Sequence, residues 1–203
     1  MAIFKPETSN GTFTDYHGIC EFGLLGFKDK SGDFDWADMF IEVQIQQKDS
    51  DYERTLQIKG SYEKENGKIT GGSVLKRMYQ FFDELGCGAG INVKGEWEDE
   101  KGDKIEDIAK YLNDNFIKGN STYIPDMDFI GYFYKEKPKT PESKSYTRLW
   151  NKVYRNTEAN KAKLQSDVNW MKTKGYIKEI TDEVSVKTEM SGNGLANLWS
   201  MSR

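Results

Sequence analysis

The stretch DMFIEVQIQ, residues 38–46, alternates without a break: Met39, Ile41, Val43 and Ile45 fall on one side of an extended chain, and Phe40, Glu42, Gln44 and Gln46 on the other. Period two marks a strand with one buried face, because successive side chains of a strand point to opposite sides. Working outward, KDKSGD (28–33) reads as a turn, and Tyr16–Phe27 as a long strand bent at Gly18, Gly23 and Gly26. On the other flank a turn at 48–51 leads to a third strand, Arg54–Tyr62, with Leu56 and Ile58 inward and Gln57 and Lys59 outward. The three form an antiparallel meander.

EKENGK (63–68) closes the meander. Ser73 reads as the N-cap of a helix carrying Leu75, Met78, Phe82 and Leu85, stopped by Gly86. Residues 90–97 read as a short extra strand. A second helix is expected from a cap at Asp103 through Ile105, Ile108, Tyr111, Leu112 and Phe116 to Gly119. Phe129–Lys135 and Ser145–Arg155 then read as two more strands, and Thr157 as the cap of a last helix through Leu164, Val168 and Met171 to Gly175. The fold expected is α+β and mostly β: a five-stranded, OB-like Greek-key barrel with helices inserted between strands three and four and a C-terminal helix. The barrel would occupy residues 1–156. Residues 157–203 would be a helix and tail, with the apolar LANLW (195–199) a hook of unassigned role.

The chemistry concentrates in the last hairpin. Tyr146, Arg148, Trp150, Lys152 and Tyr154 share one face of their strand, aromatic and cation in turn, while Leu149 and Val153 point the other way. The preceding strand adds Tyr132 and Tyr134, and the connecting loop Lys135, Lys137, Lys139 and Lys144. Single-stranded nucleic acid needs those two residue types interleaved, since bases stack on rings while cations track the phosphates. Trp36 and Phe40 are further candidates from the second strand. The plainer alternative is an edge hairpin whose Tyr and Trp side chains pack under the last helix.

Charge is divided along the chain in the same sense. Between Gly131 and Lys178 twelve Lys and Arg stand against four acids, although the whole chain carries a net charge of -4. Such segregation fits a polyanion-binding face on an otherwise acidic protein. The opening MAIFKPETSNGTF has no apolar run and no stretch is long enough for a bilayer, so the expected setting is cytoplasmic with no membrane partner.

The segments MAIFKP (1–6), DMFIEVQI (38–45), FDELG (82–86), FIGYFY (129–134) and YTRLWNKVY (146–154) resemble phage-encoded OB-fold single-stranded DNA-binding proteins, over roughly residues 1–156. The resemblance implies sheathing of single-stranded DNA without sequence preference during replication or recombination, in a host cytoplasm. Replication proteins and further copies of the chain would be its partners, and RNA shares the chemistry. One feature departs from the pattern: where such proteins often end in an acidic tail, this chain ends LWSMSR, with Asp182, Glu183 and Glu189 scattered before it.

Other classes find less support. His17 is the single histidine, and Cys20 and Cys87 stand far apart, which argues against zinc and against a Cys–His nucleophile. No cofactor is expected. Pro125–Asp126 with Glu142–Ser143–Lys144 spells the PD…ExK pattern of magnesium-dependent nucleases, but so short a pattern arises by chance in a chain that is 31% charged. An adaptor or structural protein that uses the aromatic hairpin as a protein interface is the remaining alternative.

Overall fold

The computed structural model describes residues 17–50, 53–117, 125–138, 140 and 146–180. The central feature is a curled, five-stranded antiparallel half-barrel sheet. Its strands are β1 (Gly18–Asp29), β2 (Met39–Gln47), β3 (Glu53–Gly60), β8 (Phe129–Lys135) and β9 (Thr147–Arg155), in the order β3-β2-β1-β8-β9. Two small hairpins, β4 (Glu63–Glu65) with β5 (Lys68–Gly71) and β6 (Gly90–Ile91) with β7 (Trp97–Glu98), lie between β3 and β8 in sequence. So do helices α1 (Ser73–Leu85) and α2 (Ile108–Phe116), and α3 (Glu158–Thr173) follows β9.

The curl begins in β1. Its first residues pair with β8 and its later ones with β2, and the register slips between Leu24 and Gly26. A bulge of this kind bends a strand and raises its twist. A second slip, between Gly131 and Phe133, bends β8 against β9. The alternation of β2 holds throughout: Met39, Ile41, Val43 and Ile45 are buried on the concave side, joined by Phe22, Leu56, Ile58, Phe129, Phe133 and Val153. Helix α1 fills the hollow with Val74, Met78, Phe81, Phe82 and Leu85, and α2 adds Ile108 and Leu112.

Beyond filling the hollow, α1 ties the two free edges of the sheet. Arg77 donates to the Lys59 carbonyl of β3 at 2.6 Å, and Gln80 to the Val153 carbonyl of β9 at 2.7 Å. In return, the Arg155 guanidinium donates to the Glu84 and Leu85 carbonyls at 2.6 and 3.0 Å. Edge carbonyls and helix-end carbonyls lack regular partners, and here side chains supply them.

Several local expectations change. Gly72, not Ser73, occupies the cap of α1 and makes no side-chain cap bond, whereas Gly86 ends the helix in the left-handed region at φ 76° as expected. Asp107, not Asp103, caps α2 and accepts from the Lys110 amide, so Ile105 lies before the helix. Asp107 wins because its extended backbone aims its carboxylate at the first turn. The single strand expected over 90–97 is the β6–β7 hairpin, and EKENGK holds β4 and its turn into β5, with Asn66 and Gly67 at φ 50° and 75°. An Asn-Gly pair with both φ positive is the favoured two-residue hairpin turn. Thr157 caps α3, accepting from Asn160. Gly119 and residues 195–199 lie outside the described residues.

Candidate functional site

Helix α3 lies across the outer face of β8 and β9 and buries much of the aromatic–cation alternation. Its Leu164 and Val168, with Ile177, form a second core against Ile130, Tyr132 and Tyr154. Tyr154 is 1% exposed, and its hydroxyl donates to Asp167 at 2.6 Å. Lys152 pairs with the same carboxylate at 2.6 Å. Tyr132 is buried too and donates to Glu179, which is also paired with Lys172. The expectation that this whole face stands open is therefore corrected for Tyr132, Lys152 and Tyr154. The face is apolar enough between its polar tips for a helix to cover it, and the tips find partners on that helix.

Burial sets the titration of this layer. It pushes the Tyr132 and Tyr154 hydroxyls up, and their carboxylate partners push the same way. For Asp167 burial also acts upward, but the hydrogen bonds from Lys152 and Tyr154 outweigh it and hold the carboxyl below its ordinary value. Glu179 is likewise held down by Lys172 and Tyr132 against the effect of burial.

Four of the other predicted residues lie around a cleft of about 700 Å³ between the free edges, β3 and β9. Tyr134, Tyr146, Arg148 and Trp150 line one side. Tyr146 is 65% exposed, while Tyr134 and Trp150 are partly buried, their inner edges on the α3 core. Arg148 pairs with Glu136, also in the lining. The other side carries Glu53, Arg54, Thr55, Gln57 and Lys59 of β3 and Arg77 of α1. Lys135 is partly buried and Lys137 exposed, while Lys139 and Lys144 lie outside the described residues.

Lys59 joins the cleft to a second aromatic group. Its ammonium lies 5.8 Å from the Trp36 ring and 5.1 Å from the Phe40 ring. Phe34 stacks on Phe40 with ring centroids 5.2 Å apart and touches Trp36 at 5.8 Å. Trp36 stands in the β1–β2 turn, before the strand, and is 54% exposed. Phe40 is buried, with the Phe34 and Trp36 rings packed beside it. Lys59 and Arg77 have no carboxylate partner among the described residues. The Arg77 Nε is buried with no hydrogen-bond partner there, and burial lowers the guanidinium's pKa.

Sequence reasoning missed Phe34, Arg54, Lys59, Arg77, Trp170 and Tyr176. Phe34 carried a usable signal, being a large apolar ring in a polar turn, and so did Trp170, which lies off the apolar stripe of its helix. Arg77 carried none, because only the curl of the sheet brings α1 to the seam.

Among the described residues, no three His, Cys, Asp or Glu side chains come together as a metal site would require. No described helix is long and apolar enough to cross a membrane. Of the PD…ExK residues, Glu142 and Lys144 lie outside the described chain. Compared with family models, with curated proteins and with solved structures, the chain matches none.

Proposed function

We propose that this chain binds single-stranded DNA, without sequence preference, along the seam between β3 and β9. The observation that carries the reading is the lining of that seam. Lys59 and Arg77, free of carboxylates among the described residues, stand across from Tyr134, Tyr146 and Trp150, and Lys59 continues to the exposed Trp36. Bases would stack on the rings while phosphates take up the cations, displacing condensed counterions. The strand order supports an OB-like reading: two sheet ends curl toward each other, and a helix lies across the gap. OB barrels bind oligonucleotides with strands two and three and with the loops after strands one and four. Here those loops hold Phe34 and Trp36 in one and Lys137 and Tyr146 in the other. Sheathing of strands in replication or recombination is the role such a surface serves.

Fluorescence anisotropy of a labelled thymidine oligomer, titrated at low and high salt, tests this. Log affinity should fall linearly with log salt, by about 0.7 for each phosphate neutralised. No binding at low salt would overturn the reading. Binding that does not weaken with salt would also count against it, because phosphate contacts release counterions.

A further inference from the structure

We propose that the C-terminal end of α3 is a second nucleic-acid platform, which carries a single strand out of the cleft and lengthens the site each molecule covers. This rests on the single-strand reading of the cleft. Trp170 and Tyr176 are 56% and 66% exposed, and their ring centroids lie 6.0 Å apart. Neither ring belongs to the core that α3 forms with the sheet, which takes Leu164, Val168 and Ile177. Two large aromatics side by side in water bury little for the fold, whereas each offers a π-face to a base.

Position and charge identify the occupant. Tyr176 also lines the β3–β9 cleft, so the platform is continuous with it. Lys174 and Lys178 flank Tyr176, and the Lys137 amide donates to the Lys178 carbonyl at 2.8 Å, which brings a third lysine to the patch. All three lysines are exposed, and none has a carboxylate partner among the described residues. The nearby acids are engaged elsewhere, Glu179 with Lys172 and Tyr132, and Glu136 with Arg148. Paired rings among unneutralised cations, at the exit of a cleft of the same composition, suit a polyanion with stackable bases.

The test compares thymidine oligomers of about six and about twenty nucleotides, one short enough for the cleft and one long enough to leave it. Trp170→Ala, at the ring that lies outside the cleft, should weaken the long oligomer roughly tenfold and leave the short one unchanged. Lys174→Glu with Lys178→Glu, which spares the rings, should flatten the salt dependence for the long oligomer only. If the wild type binds both oligomers and neither Trp170→Ala nor the lysine double variant alters the long one, the platform is refuted while the cleft reading stands. If the wild type binds neither, both fall together.

Discussion

The Tyr154 hydroxyl donates a 2.6 Å hydrogen bond to Asp167, from the end of β9 to the middle of α3. Lys152 meets the same carboxylate from the strand, so one acid on the helix satisfies two groups of the sheet. A hydrogen bond to a charged partner contributes about 1.5–3 kcal/mol, most of it felt when a buried partner is left alone. Tyr154→Phe should therefore lower unfolding stability by about 1–2 kcal/mol in urea titrations. It should leave oligonucleotide affinity unchanged, because this tyrosine is covered. A weakened complex from a fully folded Tyr154→Phe protein would show that α3 lifts off when DNA binds.

The same layer makes stability depend on acid. Asp167 and Glu179 have folded pKa values below their ordinary ones, so the stability they contribute is present above the unfolded value, near pH 4, and is lost as pH falls through the folded value. Asp167→Asn with Glu179→Gln should be less stable than wild type at pH 7, and the gap should close toward pH 3. Thermal melts across that range check it. A gap that stays constant with pH would mean that the pairs contribute shape and not charge.

At Gly131 the limit is space. A Cβ there would lie 2.5 Å from Leu149 Cδ1 and 3.1 Å from Phe22 Cε1. Crowding a packed core typically costs about 1–3 kcal/mol, so Gly131→Ala should destabilise by that amount. Because Leu149 is the closest obstacle, Leu149→Val in the same chain should recover part of the loss. A double variant whose effects merely add would show that the strand moves and the leucine does not.

The parts of this architecture legible in the sequence are those governed by one period. Residues 38–46 announce a strand because each side chain sees only its own side, and the structure keeps every inward residue of that stretch buried. The hairpin at 129–155 is equally legible as strands. Its outer face is not, because Tyr–Arg–Trp–Lys–Tyr alternation reads alike whether a helix or solvent lies above it. What decides is Asp167, thirteen residues beyond Tyr154, and an acid in the middle of a lysine-rich helix gives no advance notice of its partner. The cleft is less legible still. Lys59 and Trp150 are far apart in sequence, and only the bulges at Leu24–Gly26 and Gly131–Phe133 bring their edges to one seam.

That distinction sorts the aromatic candidates by experiment. Trp36 is exposed, loosely packed on Phe34 and Phe40, and beside a lysine without a carboxylate partner among the described residues. Trp36→Ala should cost about 1–3 kcal/mol of binding to single-stranded DNA and less than about 1 kcal/mol of stability. Lys59→Ala should weaken binding at low salt and reduce the salt slope by about 0.7, the share of one phosphate. Trp150 belongs to both worlds, with one edge on the α3 core and the rest in the cleft. Trp150→Ala should lower stability by about 1–3 kcal/mol as well as affinity, so its binding must be measured well below its melting temperature. Full affinity in Trp36→Ala and Lys59→Ala, with loss confined to Trp150→Ala, would tie the binding defect to a loosened fold and remove the β1–β2 turn from the interface.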